Sequence, residues 1–259
     1  MLATNQYRST RQLCSLLDSA TPDEKQALGK IVGINSALAL QAPFLTETVC
    51  KEGGHSFFNL ARGAGVGYLE IVNDVLRRLK AGDELPDADV IVLDDRTRHA
   101  ASAPADADSR VQGLVEKFEQ QIVIKALQVT YDGMDQAQRA AFDAHLNNVA
   151  KQFDPNMSRK IVGTAGIVAL ANMGGFATYT LLTTAMHAVA FGTLSFGAYT
   201  AAASLLHLVL GPVGWAALGG WAIISMGSPK MSKLVPIICN VSVVRQRIRA
   251  EHSFELRRK

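Results

Sequence analysis

Ile161-Val162-Gly163-Thr164-Ala165-Gly166 opens a stretch that runs to Pro229 without one Asp, Glu, Lys or Arg. At about 20 residues per bilayer crossing, that length accommodates two to three membrane-spanning helices. Its residues lean towards Gly, Ala, Ser and Thr rather than Leu and Ile. Small residues recur at Gly174, Gly175, Gly192, Gly197, Gly211, Pro212 and Gly214. In lipid, such positions let helix backbones approach closely. In water they allow tight packing inside a helical bundle, so the glycine pattern alone does not choose. The breaks divide the stretch into helices near 158–173, 176–191, 194–210 and 212–227. A hairpin over 176–210, turning near Gly192, makes the best pair of crossings.

The flanks of this stretch are basic. Arg159 and Lys160 precede it, and Lys230, Lys233, Arg245, Arg247 and Arg249 follow. Positive residues mark the cytoplasmic side of spanning segments, so two basic flanks predict an even number of crossings. The same residues suit anionic lipid headgroups, at about 1 kcal/mol each near a charged surface. Against this stands a purely soluble reading, in which the charged half of the chain encloses the uncharged half as a core. A protein that shields the hairpin and then releases it to lipid joins the two readings. His187 and His207 lie within the stretch and would serve as a pH trigger if charged.

The formal charge of +3 hides this division. Residues 230–259 are net positive by six, eight basic residues against Glu251 and Glu255, and residues 1–160 are net negative by three. Cys14, Cys50 and Cys239 are odd in number and widely spaced, which argues against a disulfide framework or a zinc site. The first residues lack a charged region followed by an apolar run, so no secretory signal is expected. The charge pattern lacks interleaved aromatics, which disfavours nucleic acid as a partner.

The first 160 residues read as helices. Thr21-Pro22-Asp23-Glu24 is a start signal, with Thr as N-cap, Pro at the first helical position and acids in the first turn. Gly33 or Asn35 would close that helix, and a second spans about Pro43 to Lys51 before Gly53. Tyr68, Leu69, Val72, Val75, Leu76 and Leu79 form an amphipathic stripe ending in Arg77, Arg78 and Lys80. Residues 82–108, rich in Asp, Ala, Pro and Ser, predict a linker; its apolar island Val90–Leu93 is either a lone strand or tucked into the core. Further helices are expected over 109–130 and 134–153. The domain division is 1–81, 82–108, 109–157, 158–229 and 230–259, with the last region one basic helix after Pro236.

No catalytic constellation emerges. Gly63-Ala64-Gly65-Val66-Gly67 follows helical sequence and has GxGxG spacing, so an interhelical turn is the better reading than a phosphate loop. The histidines show no metal spacing, and no serine sits in a GxSxG setting. No cofactor and no metal are expected, and no residue is assigned to catalysis.

Gly53, Gly54, Arg62, Gly63, Gly65, Tyr68 and Asp74, with Gly211-Pro212-Val213-Gly214 and Pro236, give most of the chain a resemblance to the bacterial YaaW family. That family's middle region is grouped with helical chaperones for ubiquinol–cytochrome c complexes. The resemblance implies an all-helical fold and an assembly role, and brings over no catalytic residue. The sequence reading is therefore all-α, with a charged N-terminal helical domain and a glycine-rich apolar C-terminal module. Its leading function is a bacterial cytoplasmic protein whose hairpin inserts into or docks on the inner membrane and permeabilises it, with anionic lipid as partner. One alternative is a chaperone for membrane-complex subunits, its groove built from Phe57–Leu79 and Val111–Leu127. The other is a soluble helical interaction protein with a buried apolar core. Homo-oligomers are compatible with all three.

Overall fold

A computed structural model describes residues 6–34, 36–53, 66–97, 101–153, 162–171 and 231–258. The fold is all-α. Its elements are α1 (Arg8–Asp18), α2 (Pro22–Ile31), a short 3-10 turn (Ala37–Leu40), α3 (Ala42–Gly53), α4 (Tyr68–Leu79), α5 (Asp87–Asp94), α6 (Ala107–Gly133), α7 (Gln136–Phe153), α8 (Gly163–Ala171) and α9 (Met231–Arg258). Among the described residues the β pairing is an isolated bridge between Tyr7 and Asp95.

Local chemistry sets the boundaries. At α2 the Thr21 hydroxyl accepts from the Glu24 amide, and the Glu24 carboxylate accepts from the Thr21 amide at 2.8 Å. This reciprocal cap satisfies two donors that the helix itself leaves orphaned. The helix ends at Gly33, whose φ of +84° is in the left-handed region. From there the Ile34 amide reaches back to Gly29 and the Gly33 amide to Lys30, closing the last carbonyls.

Helix α4 is the hub. The expected stripe is buried, and Ile71 and Asn73 are buried with it. The burial is that extensive because α1, α3, α5, α6 and α9 all pack around α4. Gly53 at the end of α3 lies where a Cβ would collide with Ile71, so glycine permits that approach.

Residues 87–94, within the predicted linker, form α5. The apolar island is helical, with Val90 and Leu93 buried against the core. Propensity did not decide this; tertiary contacts did. Asn73 of α4 holds the preceding loop by accepting from the Leu85 amide at 2.9 Å and donating to its carbonyl at 3.0 Å. Arg8 of α1 donates to the Leu93 and Asp95 carbonyls at the other end.

The long helix α6 runs beside α4 with Val111, Val115, Phe118, Ile122 and Val123 buried. Helix α9 lies along α6 and α2 and also touches α1, α3 and α4. It is already helical at Met231, so Pro236 lies within the helix rather than ahead of it. Leu234, Val235, Ile237, Ile238, Val241, Val243 and Val244 are all buried. Each such side chain contributes about 1.5–3 kcal/mol when taken from water. The basic C-terminal helix is thus a core element of the bundle.

Candidate functional site

The greatest concentration of buried charge lies where α9 meets α2 and α6. Glu119 of α6 is 1% exposed and stands on the apolar stripe, between Val115 and Ile122. Its carboxylate accepts two hydrogen bonds from Arg245 of α9, at 2.8 Å and 3.1 Å. Such a fork matches the two carboxylate oxygens and is stronger than a single contact. Burial works against the Arg245 cation, but Glu119 outweighs it and the net pKa is raised. The guanidinium remains charged at any relevant pH.

The pairing continues along the helix. Arg247 donates to both oxygens of Glu24, at 2.6 Å and 2.9 Å, and to Glu251 one turn on at 2.7 Å. Glu24 therefore does two jobs, capping α2 and receiving α9. Arg249 pairs with Glu116, and Lys233 with Glu52 at 3.2 Å. In these cross-element pairs α9 supplies the cation and the earlier elements supply the acid.

Beside the central pair lie two further titratable groups. The Tyr68 hydroxyl is fully buried, and burial followed by the Glu119 charge raises its pKa well above the ordinary value. The Cys239 thiol is pushed up to about 12 by burial and by Glu119. Both are neutral at physiological pH, and a thiol in that state is a poor nucleophile. Asn240, 1% exposed, has neither its amide nitrogen nor its oxygen hydrogen-bonded. The arrangement holds charge and excludes water; it offers no exposed nucleophile and base in contact.

These contacts overturn the membrane-inserting and permeabilising reading. Lys233, Arg245, Arg247 and Arg249, expected at lipid headgroups, are bound to Glu52, Glu119, Glu24 and Glu116. Among the described residues no helix is long and apolar enough to cross a membrane. Helix α8 is the described first part of the uncharged stretch. Its Ile167 is buried in the core cluster shared with α6.

Several predicted positions lie outside the described residues: Gly174, Gly175, Gly192, Gly197, Gly211, Pro212 and Gly214 of the hairpin, Arg159, Lys160 and Lys230 of the basic flanks, His187 and His207, and Gly54, Arg62, Gly63 and Gly65. Of the remaining motif residues, Gly53 and Tyr68 serve packing. Asp74 accepts from Arg78 at 2.9 Å on the surface of α4, four residues apart. The structure brings Tyr68 together with Arg245 but leaves Asp74 outside that cluster. The faces of α4 and α6 expected to line a chaperone groove close on each other and on α9. Among the described residues no group of three His, Cys, Asp or Glu side chains is placed to hold a metal ion.

Sequence reasoning missed Glu116 and Glu119, and the pairing of Glu24 with α9, although one signal was present. Val111, Val115, Phe118 and Ile122 define the buried stripe of α6, and Glu119 falls at the same helical spacing. An acid on an apolar face predicts a buried cation elsewhere. Arg245 follows Leu234, Ile238 and Val241 in the same way.

The chain is similar to two proteins of Helicobacter pylori, each called "UPF0174 protein". One is 26% identical over 211 residues, covering 80% of this chain and 72% of the relative. The second is 24% identical over 214 residues, covering 80% of this chain and 88% of the relative. No protein-family model and no solved structure matches the chain.

Proposed function

We propose that this chain is a helical interaction protein of the cytoplasm that acts by binding rather than by catalysis, and that its apolar core is sealed by its own basic C-terminal helix. The observation that carries this reading is the buried fork between Arg245 and Glu119. A cation placed for a lipid surface would keep its head in water or at headgroups. Here the positive charges of α9 instead find carboxylates on α2, α3 and α6. Helix α9 follows the uncharged stretch and α8 precedes it, and both pack on α6. The two described helices thus share one long helix as their support, which favours a role in presenting or supporting a protein contact.

The full chain purified without detergent tests this. The expected outcome is a monodisperse helical protein that does not sediment with anionic phospholipid vesicles. A chain that stays in solution only with detergent, or that binds vesicles with Arg245 released from Glu119, would overturn it.

A further inference from the structure

We propose that the junction of α1, α4 and α5 is a pH-sensitive latch, in which ionisation of the Asp94 side chain places a charge in the buried junction and loosens the hold of α1 on the first turn of α4. This goes beyond the binding role above and does not rest on it.

The geometry begins with orphaned donors. Gly67 precedes α4 and has no side chain to cap it, so the Tyr68 and Leu69 amides need partners from elsewhere. Both come from α1. Thr10 Oγ1 accepts from the Tyr68 amide at 3.2 Å, and Ser9 Oγ accepts from the Leu69 amide at 2.8 Å. Ser9 is in turn held by Asp94, whose Oδ1 accepts the Ser9 amide at 2.7 Å and whose Oδ2 accepts the Ser9 hydroxyl at 2.6 Å. One carboxylate thus fixes the residue that joins two helices. Gly67 packs directly on Asp94 Oδ2, and a Cβ there would collide with it.

That carboxyl group is 2% exposed, and its partners are neutral. From α1, Arg8 directs its guanidinium to the Leu93 and Asp95 carbonyls and to Asp108 at the start of α6, 3.4 Å away; it makes no ion pair with Asp94, though its charge favours the ionised form. From α3, the buried Cys50 faces the junction beside Thr10, with Glu47 behind it. From α4 the Tyr68 and Leu69 amides reach the junction through Thr10 and Ser9. Asp95, next in sequence, adds a like charge held by Gln6 and Thr97. Burial without a paired cation disfavours the ionised form. The Asp94 carboxyl is accordingly pushed up to about 6, with burial the largest cause and the Ser9 hydrogen bonds opposing it. The group changes charge close to neutral pH, where an exposed aspartate, near about 3.9, would not.

Hydrogen exchange at the Ser9 and Leu69 amides reads the latch directly, because side chains at this junction are what hold both donors. In the full chain, corrected for intrinsic rates, their protection is expected to fall about tenfold between about pH 5 and about pH 8. In Asp94→Asn, which keeps the oxygen facing the Ser9 amide but cannot ionise, protection is expected to stay level. The same pH profile in both proteins would overturn the proposal. Should Asp94→Asn fail to fold, the carboxyl carbon of Asp94 in the unaltered chain is titrated by NMR. A midpoint near about 6 supports the latch, and one near about 4 overturns it.

Discussion

Glu119 and Asp94 are nearly equally buried, at 1% and 2% exposure, yet the molecule treats them in opposite ways. Glu119 receives a guanidinium through two hydrogen bonds, whereas Asp94 receives the neutral amide and hydroxyl of Ser9. The first solution joins two helices through a forked ion pair. The second leaves a proton equilibrium within reach of physiological pH. Burial alone therefore says little about what a carboxylate does; the charge of its partner decides.

The largest effect expected from breaking this contrast is at the ion pair. Glu119→Ala takes both hydrogen bonds of the fork from the buried Arg245 cation and leaves it Glu116 at 3.9 Å, which costs about 3–5 kcal/mol. For a chain of this size the melting midpoint should drop by on the order of 10 °C. The paired replacement Glu119→Met with Arg245→Met should recover most of the loss, since it removes both desolvation penalties and keeps the volume. Thermal denaturation of the unaltered chain and the two variants checks this. A double variant as unstable as the single one would mean the charges themselves hold α9 in place.

Asp94 should show the next largest effect, and only through pH. The folded chain keeps its proton up to about pH 6, while the unfolded chain releases it near about pH 4. Its stabilisation is therefore complete below about pH 4 and is lost as pH rises through about 6. Measured by urea denaturation, the stability of the unaltered chain minus that of Asp94→Asn should grow by about 2 kcal/mol from about pH 7.5 to about pH 4.5. A difference that shrinks over that range would reverse the assignment of Asp94 as the strained partner.

Much of the fold was legible because short-range chemistry wrote it. The Thr21 to Glu24 start, the Gly33 stop and the α4 stripe each follow from residues within one or two turns of each other. What was not legible depends on partners far apart in sequence. Glu119 and Arg245 are 126 positions apart, and Ser9 and Asp94 are 85 apart. Read singly, Arg245 belongs to a basic tail and Asp94 to an acidic linker. Only the fold reveals that one is a core residue and the other the clasp of a helix junction. The expectation of His187 and His207 as pH triggers fell on residues outside those described, while the titratable carboxyl in the described fold came from a stretch read as linker.

A third, smaller effect concerns a group that neither solution serves. Asn240 lies on α9 between the buried Cys239 and Val241, and its side-chain amide lacks partners. An unpaired buried amide costs free energy that an apolar side chain of similar size does not. Asn240→Leu should therefore stabilise the chain by about 1 kcal/mol, read as a shift of the urea midpoint with an unchanged slope. A loss of stability would place an unseen hydrogen-bonding partner at that position.

The smallest effect should come from Asp74, and it separates a packing motif from a binding one. Asp74 is one of the positions where the sequence led us to expect a family motif, but its contact is a surface pair with Arg78. Water screens such a pair, and its contribution is about 0.3–0.5 kcal/mol. Asp74→Ala should accordingly shift the urea midpoint barely beyond error, roughly a tenth of the Glu119→Ala effect. Contact with a partner would reverse that ranking in a different assay: a substitution neutral for the isolated chain would weaken the complex. Should Asp74→Ala instead destabilise the isolated chain as strongly as Glu119→Ala, exposure and geometry would no longer rank these carboxylates, and the contrast between a clamped and an open charge would fail.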